Sequence, residues 1–168
     1  MAEVLRGRYT AHINGPFVVF VIGMRINQFW KIWRWLPTIM AMPPMLAELY
    51  THPEKGFLGA EFSVNLRGPV SVQYWRSFDQ LDQFARSSND PHLPAWQRFN
   101  QTAGKDGSVG IFHETYLVDA GRYECVYGNM PLYGLAKVAE HVPAVGGRAT
   151  ARRRLGEAVD EPAVPTNY

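Results

Sequence analysis

One stretch constrains the fold more than any other, the run VSVQYWRSFDQLDQFARSSNDPHLPAWQRFN from Val70 to Asn100. Val70, Val72, Tyr74 and Arg76 fall on one face of it and Ser71, Gln73, Trp75 and Ser77 on the other, the period-two pattern of a strand. At Ser77 the period changes. Phe78, Leu81 and Phe84 recur at helical spacing, and a serine at the switch is a natural N-cap. The pattern predicts a strand running directly into a helix over Phe78 to Arg86. A polar break SSNDP follows, then a second helix from about Leu93 to Gln101, with Asp90 as its cap and Trp96 and Phe99 facing inward.

The flanking segments complete a simple plan. Phe17 to Ile26 is a continuous β-branched and aromatic run, as expected of a strand buried on both faces. Residues 28–50 read as helical, but Pro37 and the pair Pro43-Pro44 remove hydrogen bonds inside a helix, so two or three pieces are expected, with Pro44 in the first turn of the last. Ala60 to Asn65 returns through Arg67-Gly68-Pro69 to Val70 as a hairpin, Val109 to Val118 is a further strand, and Tyr123 to Gly128 is the last. This order is α+β, a ferredoxin-like β-α-β-β-α-β domain with helices on one face of an antiparallel sheet. The bare face, rich in Tyr, Trp and Val, is most simply buried by a second copy, so a homodimer is expected. Residues 1–15 are expected to form an N-terminal arm, 16–145 the domain, and 146–168 a flexible tail with Gly146-Gly147 and the run Arg152 to Arg154.

Charge and chemistry narrow the function. Seventeen basic against 15 acidic residues leave +2, no general field for nucleic acid or an anionic membrane. Cys125, the single cysteine, excludes an intramolecular disulfide and a zinc site built on several thiolates; it reads as a buried, inert thiol in a reducing, cytoplasmic setting. The longest apolar run, Pro16 to Met24, is shorter than the roughly 20 residues a bilayer span needs and lacks a signal-peptide pattern, so no integral membrane segment is expected. There is no Gly-rich phosphate loop, GxSxG elbow, HExxH or paired acidic motif, and no metal-ligand set. Without a dinucleotide fingerprint a tightly held NAD or flavin is not expected; any oxidation needs haem or direct reaction of an activated substrate with oxygen.

The strings QYWRSFDQLDQFARSSNDPHLPAWQRFN and VGIFHETYLVDAGRYECVYGNMPLYGL, with IGMRINQFWKIWRWLPTIMAMPPMLAELYTHPEKGFLG upstream, resemble a family of monooxygenase-like proteins related to the antibiotic-biosynthesis monooxygenases. The resemblance implies a dimeric α/β barrel, two ferredoxin-like halves packed sheet against sheet. It also implies a superfamily holding cofactor-free monooxygenases of aromatic polyketides, haem-dependent members, and proteins without known substrate.

Two histidines draw attention. His113 lies mid-strand among apolar same-face neighbours and must find a partner or a ligand. It is either a core histidine bonded to Tyr74, Glu114 or a backbone carbonyl, or a general base during substrate oxidation. His92 begins the second helix, where the resemblance implies the proximal histidine of haem-dependent relatives; it is either an axial ligand or a capping loop histidine. Tyr74 and Arg76 are candidates to steady a substrate anion, with Arg76 alternatively pairing Asp79 or Asp82. Trp75, Trp96, Trp33 and Met40 are candidate linings of an apolar pocket between sheet and helices, Glu114 an interface residue, and Asn129 the holder of a final turn. The first reading is a homodimeric, cofactor-free monooxygenase oxidising a small hydrophobic, secondary-metabolite-like molecule. The alternatives are a haem-binding protein of the same fold, ligated by His92 or His113, and a non-catalytic dimeric ligand-binding protein.

Overall fold

The computed structural model describes residues 2–88 and 90–163. Its elements are β1 (Leu5–His12), β2 (Phe17–Ile26), α1 (Ile32–Met40), α2 (Met42–Thr51), β3 (Phe57–Asn65), β4 (Gly68–Trp75), α3 (Phe78–Arg86), α4 (His92–Gln101), α5 (Ala103–Asp106), β5 (Val109–Val118), β6 (Tyr127–Met130), β7 (Glu140–Pro143) and α6 (Ala151–Arg154). Contacts divide them into two units, residues 18–116 and residues 1–17 with 117–168.

In the larger unit the sheet order is β3-β4-β2-β5. Its first strand lies between its third and its last, the ferredoxin-like order. β4 pairs antiparallel with both β2 and β3. Register assigns the faces. Trp75, Gln73 and Ser71 stand opposite Val18, Phe20 and Ile22 of β2, so these six side chains share one face. Tyr74, Val72 and Val70 stand opposite Val19, Val21 and Gly23 on the other. β5 follows suit: Val109 and Ile111 pack with Met24 and Ile26 on the first face, whereas the Phe112 ring lies 2.7 Å from where a Cβ on Gly23 would sit.

Helices cover only the first face, through two apolar clusters. Val18, Leu49, Phe57, Ala60, Trp75, Leu81 and Phe84 form one, with Met45, Leu46 and Phe20 against it. Met24, Ile26, Ala103 and Val109 form the other, joined by Trp35 and Ile39 of α1 and by Phe99 of α4. The opposite face presents Val19, Val21, Val70, Val72, Tyr74, Phe112 and Tyr116, with no helix of this unit packed on it among the described residues, and Tyr116 donates a hydrogen bond to Glu114 there.

The switch at Ser77 is as its sequence implies. Its Oγ accepts the Gln80 N–H at 3.2 Å and donates to Gln80 Oε1 at 3.1 Å, capping α3. Pro37, expected to interrupt the helix, sits inside α1, and α2 starts at Met42 with Pro43 in its first turn. A proline deletes one donor, and α1 survives because Trp35 and Ile39 stay packed and Trp35 Nε1 donates to the Phe29 carbonyl at 2.9 Å. Asp90 does not cap α4, whose N-cap is Pro91; its carboxylate pairs instead with Lys55.

The smaller unit corrects the expected arm. β1 lies within residues 1–15 and forms the centre of a three-stranded sheet ordered β6-β1-β7, antiparallel to both neighbours. The last strand is also displaced. Residues 123–126 bind β1 through side chains, Tyr123 OH accepting the Ile13 N–H at 2.7 Å and Thr10 Oγ donating to the Cys125 carbonyl at 2.8 Å, and ladder pairing begins only at Tyr127. Asn129 has a positive φ of 51° and its Oδ1 accepts the Gly7 N–H at 2.9 Å, tying it to β1. In the segment expected to be a flexible tail, Thr150 caps the short α6 and Arg154 pairs with Glu124. The remainder of that tail, residues 164–168, the first residue of the arm and Asn89 of the polar break lie outside the described residues.

Candidate functional site

Between the two apolar clusters the helix-side face of the sheet changes character. Ala60 of β3 stands beside Gln73 of β4, Gln73 beside Phe20 of β2, and the Phe20 ring meets the His113 ring of β5 at 5.6 Å. The next row holds Phe62, Ser71 and Ile22. This floor thus carries two polar groups on β4 and an imidazole on β5, with apolar rings between them. Neighbouring strands lie about 4.8 Å apart, so β4 and β5 are separated by about 10 Å, the width of a small polycyclic molecule.

The polar groups are defined by what they lack. Ser71 is 2% exposed, and its Oγ has no hydrogen-bond partner among the described residues. Gln73 is buried as well, and its carboxamide has a fixed sense. An indole N–H is only a donor, so the atom receiving Trp75 Nε1 at 3.0 Å is Oε1. The Gln73 NH2 is therefore a donor turned elsewhere. His113 is exposed, which excludes the core-histidine reading, and its ring meets that of Phe20.

The other expected site residues scatter. Tyr74 stands opposite Val19 on the far face of the sheet, so β4 pleating separates it from His113. Arg76 is exposed past the end of β4, its backbone N–H bound to the Gly56 carbonyl at 2.7 Å, and Asp82, one of its expected partners, pairs with Arg86 at 2.8 Å. Trp75 is 1% exposed and packs among Phe57 and Phe84 as core rather than as a pocket wall. Trp33 and Met40 are exposed on the stripe of α1 turned away from Trp35 and Ile39, so they do not line the floor. Trp96, partly exposed, stacks on Phe99 at 5.5 Å beside the second cluster. Gln73 and Ser71 were the residues missed. The signal was present, because both alternate onto the face of Trp75, and a polar residue on a buried face needs a reason.

His92 fits a packing role. Its Nδ1 lies 2.9 Å from the Ala85 carbonyl, its ring leans on Phe84 at 6.1 Å, and the Lys55 ammonium lies over the same Phe84 ring at 5.7 Å. That lysine bridges Glu48 and Asp90. Burial pushes the Asp90 carboxyl up, but hydrogen bonds from Lys55 and Ser87 and the Lys55 charge outweigh it and hold it below the usual range. An axial haem ligand needs a flat apolar slab at its free nitrogen. A phenylalanine backed by an ion-pair cluster does not supply one, and the residues present do not fit haem at His92. Among the described residues no three His, Cys, Asp or Glu side chains are grouped to hold a metal ion.

A ferredoxin-like sheet with a mixed polar and apolar floor on its helix side defines an α+β protein with a candidate ligand-binding floor. The Monooxygenase af470-like family profile matches residues 17–135, and the chain belongs to that family. It is 28% identical over 160 residues to "Monooxygenase af470" of Aspergillus fumigatus, covering 77% of this chain and 53% of the relative; the chain spans about half the length of the curated relative it matches. Similar solved structures include SnoaB, a cofactor-independent oxygenase from Streptomyces nogalater, at 13% identity and TM-score 0.43 over 60% of this chain and 90% of that one. A dimeric protein of unknown function and ferredoxin-like fold from Bacteroides fragilis aligns at 11% identity and TM-score 0.39, over 60% and 94% of the two chains.

Proposed function

We propose that the chain is a cofactor-free monooxygenase acting on a small hydrophobic, oxygen-bearing substrate laid across the helix-side floor of its sheet. The observation that carries this reading is the pair of polar positions, His113 on one side of Phe20 and Gln73 with Ser71 on the other, set between two apolar clusters. His113 takes a proton from an acidic C–H or O–H of the substrate. The Gln73 NH2 and the Ser71 hydroxyl meet the oxygen on which negative charge develops. The resulting electron-rich anion reduces oxygen itself. For a methylene oxidised to a carbonyl, the substrate and O2 give the ketone and one water, all electrons coming from the substrate.

The uncovered sheet face, with Val21, Val72 and Tyr74 at its centre, supports a homodimer built sheet against sheet. Oxygen uptake with a panel of enolisable polycyclic phenols and ketones tests the activity. His113→Gln is expected to lower turnover by about 100-fold or more while leaving mass and melting unchanged, because His113 is exposed. Turnover unaffected by His113→Gln removes the imidazole from the chemistry.

A further inference from the structure

Only one stripe of α1 is used by the core. Trp35 and Ile39 pack into the second cluster, while Trp33, Leu36 and Met40, at i, i+3 and i+7, form a second apolar stripe that stays exposed. Phe29 and Trp30 extend it through the preceding turn, and Trp30 and Trp33 are 70% and 68% exposed. An apolar surface of this kind on an otherwise well-packed unit marks a contact.

Charge identifies the occupant. From Asn27 to Ala47 the chain holds Lys31 and Arg34 and no acidic residue. Arg67 adds a third cation, its guanidinium 5.4 Å above the Phe29 ring. Asp106 answers Lys31 at 3.1 Å and Arg34 at 3.6 Å, so one carboxylate stands against three basic groups. A second copy on this surface would set Lys31, Arg34 and Arg67 against themselves, since a two-fold contact pairs a patch with its own image. The weak net charge of the whole chain conceals this local excess.

We propose that α1 and the turn before it dock the protein in the plane of an anionic lipid surface. Trp30, Trp33, Leu36 and Met40 enter the headgroup boundary and Arg67 meets lipid phosphate. Indole rings favour that boundary because one edge is apolar and the N–H is wet. Nine residues of α1 span about 14 Å, enough to lie in the interface. Among the described residues no helix is long and apolar enough to cross the bilayer. The inference is independent of the proposed chemistry.

Vesicle co-sedimentation of the full chain tests it, with phosphatidylcholine vesicles compared with vesicles carrying about one third phosphatidylserine. The expected result is binding to the anionic vesicles that falls with added salt. Trp30→Ala is expected to weaken it about tenfold or more. Arg67→Gln is expected to weaken it about fivefold. Circular dichroism melts of each variant establish that the fold is kept. Absence of sedimentation with anionic vesicles, or affinity unchanged in a folded Trp30→Ala protein, overturns the proposal. So does a fall in oligomeric mass of Trp30→Ala by light scattering without lipid, which would make the stripe a contact between copies.

Discussion

Replacing Ser71 by alanine is expected to make the protein more stable and less active. The hydroxyl is 2% exposed and unpartnered, and a buried unsatisfied polar group costs about 1–3 kcal/mol. Alanine removes that cost and keeps Cβ, so the pairs with Ile22 and Phe62 hold their register. Against it stands a void of one atom, worth less than about 1 kcal/mol. The net expectation is a gain of about 1 kcal/mol, which for a chain of this size raises Tm by about 2–4 °C. Ser77→Ala serves as the internal contrast. Its Oγ accepts the Gln80 N–H, so the same atomic change loses a cap and lowers stability by about 1 kcal/mol. Urea and thermal unfolding of both variants and of the double mutant check the opposite signs, which should add because the sites share no partner. A loss of 1 kcal/mol or more in Ser71→Ala refutes the reasoning, since it means the hydroxyl is already satisfied by a bound water.

Other expectations concern the ion pairs and the bare sheet face. The Lys55–Asp90 pair should stabilise the fold across neutral pH. Because the Asp90 pKa is lowered, its share is lost as pH falls below about 3.8 through the folded value; because the Lys55 pKa is raised despite burial, its share is lost as pH rises past about 10.5. Lys55→Met should remove both limbs from a stability-versus-pH curve, and an unchanged curve would discount the pair. His141, whose pKa burial lowers, stacks on Tyr9 at 4.5 Å and should cost stability as pH falls from 6.5 through its folded value; His141→Phe should flatten that part of the profile by chemical unfolding. Val72→Glu puts a charge in the middle of the uncovered face and should yield a monomer by light scattering. A dimer that persists at full affinity would place the contact elsewhere.

Local chemistry was legible in the sequence and distant pairing was not. Ser77 betrays itself because the change of period and the capping side chain lie within a few residues. β1 gives no such signal: its partners β6 and β7 are more than 100 residues away, and neither is longer than four residues. The Tyr123 to Gly128 run looked like strand because its aromatic residues alternate, yet Tyr123 binds β1 by its side chain. At the site, alternation placed Gln73, Ser71 and Trp75 together correctly. It also put Tyr74 on the opposite side of β4, and the Phe20 contact, which sets His113 on the face of Gln73, separates Tyr74 from His113.

The hydrogen bond from Trp75 to Gln73 has an evolutionary consequence. The indole is 1% exposed, yet it decides that the carboxamide shows its NH2, and so, under the proposed function, that the floor is set to meet an electron-rich oxygen rather than a hydroxyl hydrogen. A lineage that exchanged Trp75 for phenylalanine would keep a large ring in the core and release the amide to turn over. Substrate preference in descendants of this chain can therefore drift through a buried residue, with the visible surface of the site unaltered letter for letter.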